Sequence, residues 1–199
     1  MVMYLSKVLL QDATQPYQWH RNLWALFPDQ PDASRPFLFR LERQVRGGAE
    51  VLMQSSLEPV ASGGCSTVIA TRPFQPQVAE GQPLRFRLVA NPVKTIQDES
   101  GRMNGKGRIK SCRVPLIDEQ QQSLWLQKKL DGVASLQETM VMSRKVLHFR
   151  KGGKAGKIVQ TTFEGVLRVE SPERFWNLQS HGIGPAKAFG CGLLTLARL

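Results

Sequence analysis

The stretch TMVMSRKVLHFRKGGKAGKIVQTTFEGVLRVESPERFWNLQS, residues 139–180, decides the fold. From Thr139 to Phe149 apolar and polar residues alternate, the period of a strand with one buried face. RKGGKAGK, 150–157, reads as a turn. From Ile158 to Glu170 the chain returns as a long strand. Ser171 then opens a helix reaching about Ser180, with a serine N-cap and Pro172 at the first helical position. Upstream, Ile117 to Leu130 reads as an amphipathic helix, with Leu124, Trp125 and Leu126 on or near its buried face. A strand is expected from Arg108 to Leu116, and LLTLARL, 193–199, supplies the last strand. The order is β-α-β-β-α-β, that of a ferredoxin-like unit.

The first half carries a second, less regular copy of that order. MYLSKVLL, 3–10, alternates as a strand. QPYQWHRNLWAL, 15–26, has helical spacing, with Trp19, Leu23 and Leu26 on one face, and Pro28 and Pro31 end it. FLFRLER, 37–43, is a strand that returns through a hairpin turn at Gly47 and Gly48. The Pro- and Gly-rich stretch from Leu57 to Pro83 is irregular, with room for a short, degenerate helix. LRFRLVAN, 84–91, alternates strongly and is taken as the strand closing the first unit. The expectation is an α+β protein of two tandem ferredoxin-like (RRM-like) domains, 1–91 and 92–199. RNA-binding sheets share this order.

The chain has 199 residues, 41% of them hydrophobic, enough for real cores, and a net charge of +11. Such an excess points to a polyanionic partner. Residues 1–90 hold 9 Lys+Arg against 7 Asp+Glu, whereas 91–199 hold 18 against 9, so the C-terminal half carries the field. One acid-free basic run holds Arg102, Lys106, Arg108, Lys110 and Arg113. Another, around the glycine turn, holds Arg144, Lys145, Arg150, Lys151, Lys154 and Lys157. A narrow hairpin tipped with Lys and Arg suits an RNA stem-loop backbone. Cys65, Cys112 and Cys191 are too far apart for ligand spacing, so no zinc site is expected, and three unpaired thiols fit a reducing compartment. No signal peptide or membrane span is read, and the cytoplasm is the expected location.

The candidate chemistry is proton transfer. Tyr17 and His20 lie three residues apart on one helix face. Histidine takes and gives protons near neutrality. RNA cleavage by internal 2′-hydroxyl attack needs a base, an acid at the 5′ oxygen and a cation, and His20, Tyr17 and a lysine or arginine can fill these roles. With its high ordinary pKa, Tyr17 suits positioning or donation better than base work. Spacing alone favours reading His20 as a satisfied, partly buried histidine. His181 is a second acid–base candidate. Asp98-Glu99 and Asp118-Glu119 are adjacent pairs whose side chains diverge, which disfavours a two-metal nuclease. GIGPAKAFGCGLL, 182–194, brackets Pro185 and Lys187 with Gly182, Gly184, Gly190 and Gly192. It reads either as a loop shaped to meet phosphates or as a tight connection into a buried strand.

These residues together carry a resemblance. MYLSKV, YQWHRNLW, LFPDQPDASRPFLFRLE, LRFRLVANPVKT, KSCRVPL, WLQKKL, AGKIVQTTFEGVL and GIGPAKAFGCGLL, in this order, make the chain similar to the CasE endoribonuclease family of the bacterial CRISPR Cascade complex, subtype I-E. The resemblance spans essentially the full length. It implies two ferredoxin-like domains and metal-free cleavage of precursor CRISPR RNA at the base of each repeat stem-loop. The ends would be a 5′-hydroxyl and a 2′,3′-cyclic phosphate or 3′-phosphate. It implies no cofactor. The expected partners are the repeat stem-loop RNA and other Cascade subunits, with no membrane, and the isolated chain would be a monomer. The family's catalytic tyrosine and histidine fall on Tyr17 and His20. RNA-binding positions would be Arg21, Lys94, Arg108, Lys110, Arg113, Arg150, Lys151, Lys154, Lys157 and Lys187. A non-catalytic stem-loop scaffold on the same fold is the competing expectation.

Overall fold

The structure, a computed structural model, describes residues 2–11, 14–28 and 34–199, with all their side chains except those of Lys151 and Lys154. Pro31, one of the expected helix stops, lies outside the described residues. In chain order come β1 (Met3–Gln11), a 3-10 turn (Pro16–Gln18) and α1 (Trp19–Trp24). β2 (Phe37–Val45), β3 (Gly48–Ser55), β4 (Ser62–Gly63) and β5 (Ser66–Phe74) complete the first sheet, ordered β2-β3-β1-β5-β4. β6 (Pro83–Ala90) leads into a separate two-stranded ribbon, β7 (Val93–Gln97) and β8 (Ser111–Pro115). Next are α2 (Glu119–Leu130), β9 (Ala134–Lys151), β10 (Lys154–Val169), α3 (Pro172–His181), a 3-10 turn (Lys187–Phe189) and β11 (Leu194–Arg198). The second sheet is ordered β11-β6-β10-β9.

Both main sheets have the ferredoxin-like arrangement. β1 lies between β3 and β5, and β6 between β10 and β11, each pairing antiparallel with both neighbours; the short β4 only extends the first sheet beyond β5. The second unit has both crossover helices, α2 and α3. The first has only α1, because residues 57–61 join β3 to β4 without a helix. The stretch from Leu57 to Pro83 is therefore corrected, since it holds the strand β5. Only Ser66 in that strand is buried. An edge strand exposed on both faces leaves no clean alternation in the sequence.

A second correction concerns β6. Its side chains Leu84, Phe86, Leu88 and Ala90 point into the second core, and its backbone pairs with β10 and β11. By these bonds it opens the second unit, and the division expected at residue 91 falls after it. The strand expected from Arg108 to Leu116 is instead part of the ribbon, because Ser111, Cys112 and Arg113 are exposed and offer no face to bury. At the first hairpin Gly47 has a φ of +79°, whereas Gly48 belongs to β3, opposite Val45. In α2 the inward residues are Gln122, Leu126 and Leu130, while Leu124 is exposed. The Ser171 cap follows expectation, its Oγ accepting from the Arg174 amide, and Asp118, not read as a cap from the sequence, accepts from the Gln121 amide.

Two cores form, one around Leu10, Leu23, Phe39 and Met53, the other around Leu88, Leu126, Phe163 and Phe175. Leu147 of β9 belongs to the first of them. Arg40 of β2, only 5% exposed, ties the sheets together. Its guanidinium donates to Glu42 at 2.8 Å and to Thr195 Oγ1 of β11 at 2.9 Å. Gln54 Nε2 donates to the Gln179 carbonyl at 3.1 Å.

Candidate functional site

Tyr17 lies in the turn before α1 and His20 in its first turn. Trp19, Leu23 and Leu26 are buried on the opposite side, which leaves Tyr17 and His20 half-exposed. Their rings meet edge to face with centroids 6.1 Å apart. Tyr17 stacks on Phe149 of β9 at 6.3 Å and 12°, and lies 6.4 Å from Phe189 of the second 3-10 turn. Phe149 and Phe189 are themselves 4.7 Å apart. Three segments distant in sequence thus converge on Tyr17: the first helix, the basic hairpin and the glycine-rich element. Sequence reasoning missed both phenylalanines. The signal for one was Gly156, which faces Phe149 across the hairpin. A Cβ there would lie 2.4 Å from the ring.

The hairpin has two unlike faces, set by strand alternation. Leu147 and Phe149 face the first unit. His148 and Arg150 point the other way and are exposed, as is Lys157 opposite His148. The apolar face seats the hairpin, and the cationic face is left for a polyanion. Lys151 and Lys154 pair as backbone at the tip. Arg21 is exposed on α1.

The structure does not gather every expected cation around Tyr17. Lys94, Arg108, Lys110 and Arg113 are exposed on the ribbon and the loop joining its strands. The segment between the ribbon and α2 adjoins β9 where Arg144 Nη1 donates to the Ile117 carbonyl at 2.7 Å. His181 is turned onto its own helix, with Nδ1 2.8 Å from the Asn177 carbonyl oxygen, away from the Tyr17 cluster.

The four glycines of residues 182–192 all have positive φ, and protein atoms explain them. A Cβ on Gly182 would lie 2.7 Å from Leu38, and one on Gly184 would lie 2.8 Å from Trp125. Gly190 and Gly192 sit against Phe39 and Ile183. The segment is packed rather than cradle-shaped, and it delivers Phe189 and Lys187 to the site. Lys187 Nζ donates to the His181 carbonyl at 2.5 Å, closing the C-terminus of α3. Burial, with the positive charge of Arg35 beside it, holds the Lys187 ammonium below its ordinary pKa.

Among the described residues no group of three His, Cys, Asp or Glu side chains is placed to hold a metal. A groove of about 800 Å³ lies between α2 and β9; it carries Glu119 and Glu138 but no cation. It is remote from the site chemistry and ill-suited to RNA.

A tandem ferredoxin-like protein, with a half-exposed histidine on its first helix beside a cationic hairpin, is the class that this fold and site define. Residues 3–198 match the family described as CRISPR associated protein, and the chain belongs to it. It is 48% identical, over 99% of its own length and all of the relative's, to the CRISPR system Cascade subunit CasE of Escherichia coli K12. It is 32% identical to the CRISPR-associated endoribonuclease Cse3 of Thermus thermophilus, covering 98% of this chain and all of that one. The structure of Thermus thermophilus Cse3 bound to an RNA representing a pre-cleavage complex matches with a TM-score of 0.78 at 30% identity. That match covers 99% of this chain and all of that one.

Proposed function

We propose that this chain is an endoribonuclease that cleaves precursor CRISPR RNA at the base of repeat stem-loops. It then stays on the product as a Cascade subunit, in the cytoplasm. The observation that carries this reading is the convergence on Tyr17 of the His20 helix, the cationic hairpin and the glycine-rich turn. The first unit supplies the proton chemistry and the second, opened by β6, supplies the RNA surface. Relatives named as a Cascade subunit and as an endoribonuclease support it.

In the reaction the 2′-hydroxyl oxygen attacks the adjacent phosphorus and the bond to the 5′ oxygen breaks. The hydroxyl proton is taken up and one is delivered to the leaving oxygen. The ends are a 2′,3′-cyclic phosphate and a 5′-hydroxyl, and no metal is required. His20 carries proton transfer, and Tyr17, held between Phe149 and Phe189, fixes the helix edge and the RNA beside it. Arg21 and the exposed face of the hairpin, with Arg150 and Lys157, hold the stem backbone, joined by Lys151 and Lys154 of the hairpin tip. The ribbon cations Lys94, Arg108, Lys110 and Arg113 extend that surface.

The test is His20→Ala with the chain's own repeat RNA. Loss of a general acid–base group typically costs about 10²–10⁴-fold in rate, and stem-loop affinity should be kept. Unchanged cleavage would sink the assignment. EDTA should leave the wild-type rate intact, and its abolition of cleavage would overturn the metal-free mechanism.

A further inference from the structure

Arg35 lies two residues before β2. Its guanidinium carbon is 5.9 Å from the centroid of the Phe37 ring. Phe37 in turn meets Trp24 of α1 at 5.7 Å, so Arg35 borders the helix that carries His20. The next residues of β2 abut the glycine-rich segment, Leu38 at Gly182 and Phe39 at Gly190. Arg35 and Lys187 are thereby brought together across that contact, and Lys187 shares its short turn with Phe189 of the Tyr17 cluster.

The pair is electrostatically incomplete. Arg35 Nε is buried and has no hydrogen-bond partner. Among the described residues neither Arg35 nor Lys187 forms an ion pair. Burial depresses the pKa of both groups, and the charge of Arg35 depresses Lys187 further. Arg40, more deeply buried, shows the contrast: Glu42 neutralises it at 2.7 Å and further acceptors take its remaining donors. Desolvated cations without a counter-charge are unfavourable. Two of them facing each other are a site awaiting an anion. A fork of guanidinium donors beside a lysine with protons to spare matches a phosphate.

We propose that Arg35 and Lys187 together bind one backbone phosphate of the RNA, close to the nucleotide that His20 acts on. The source of the phosphate rests on the endoribonuclease reading above. The site explains why α3 ends where it does, since the His181 carbonyl holds Lys187 in place for a second partner. It also makes Arg35 a binding residue that sequence spacing did not single out.

The experiment compares wild type with Arg35→Gln, using repeat stem-loop RNA carrying a 2′-deoxy cleavage nucleotide. Affinity is measured over a range of salt concentrations, and melting is measured without RNA. The substitution should weaken binding about 10-fold or more, as for a lost hydrogen bond to a charged group. The slope of log K against log[salt] should flatten by about 0.7–0.9, one phosphate's worth. Without RNA the Tm should hold or rise, because an unpaired cation has been removed. A methylphosphonate placed at successive positions should weaken wild type at one position where it leaves Arg35→Gln unaffected. A fold-stabilising role for Arg35 predicts the reverse, a lower Tm with an unchanged salt slope, and that result overturns the proposal. So does a variant that binds as wild type does. Failure of wild type itself to bind the stem-loop would refute the endoribonuclease reading instead.

Discussion

Replacing Gly156 with alanine isolates the contact that seats the hairpin on the catalytic helix. By backbone alone the change is favourable: Gly156 lies inside β10 at ordinary φ, where glycine costs about 0.5–1 kcal/mol relative to alanine. The new methyl would sit 2.4–2.9 Å from three carbons of the Phe149 ring. No tolerable contact is that short, so the ring must swing off the strand. It would then lose its stack on Tyr17 and its tilted contact with Phe189. Each such pair contributes about 0.5–1.5 kcal/mol beyond area burial, so two amount to about 1–3 kcal/mol. After the backbone gain the net loss is about 0–2.5 kcal/mol, centred on ~1.3 kcal/mol, or a Tm lower by roughly 3–5 °C at that centre for a chain of this size. Cleavage should fall further than stability implies, because Tyr17 loses the ring stacked on it and Phe189 loses its own brace. The control is Phe149→Ala, in whose background Gly156→Ala should be neutral or stabilising. Thermal melts and single-turnover cleavage of the four proteins complete the cycle. If Gly156→Ala costs the same in both backgrounds, the ring is not what the glycine accommodates and the argument fails.

Two other predictions follow from charge and burial. Glu50, gripped by Arg43 and Lys7, has its pKa lowered from 4.5 to about 2. Its contribution to stability is present above pH 4.5 and is lost as pH falls toward 2. Glu50→Gln should flatten the Tm–pH curve over that interval, and an identical curve would refute the pairing. Burial pushes the Cys191 thiol up to about 12, while Cys65 and Cys112 are exposed. At pH 8 a thiol reagent should therefore label Cys65 and Cys112 in the native protein and reach Cys191 only on unfolding; rapid labelling of Cys191 would contradict its burial.

What the sequence revealed follows from which faces are buried. Phe86, Leu88 and Ala90 alternate because one side of β6 meets a core, so that strand was legible, but alternation does not say which core. Its place in the second sheet depends on partners some 70 to 110 residues away. β5 was illegible because both of its faces meet solvent. At the site, Tyr17 and His20 could be read from helical spacing. Phe149 and Phe189 could not, because strand alternation and a glycine-rich turn carry no mark of a third segment packing on them. Arg35 looked like any loop arginine. Its distinction is a desolvated guanidinium with no carboxylate paired to it among the described residues, which only the folded chain displays.

The division of labour between the units is less clean than two tandem folds suggest. α1 has only six residues, far short of the length at which a helix holds itself in water. Its buried side, Trp19 and Leu23, fixes it to the first core. On the other side Tyr17 packs against Phe149 and Phe189 of the second unit. Leu147 of the same hairpin completes the first core. One short strand segment therefore does three things: Leu147 closes a core, Phe149 orients the tyrosine beside His20, and Arg150 on the alternate face is left for RNA. Strand alternation makes these inseparable, because no shift of RNA-facing cations by one residue is possible without moving Phe149 off Tyr17. RNA held on the outer face of the hairpin is in this way referenced to the catalytic helix through a single layer of aromatic contacts. On the proposed function, the position of cleavage is then set by hairpin register as much as by His20 itself.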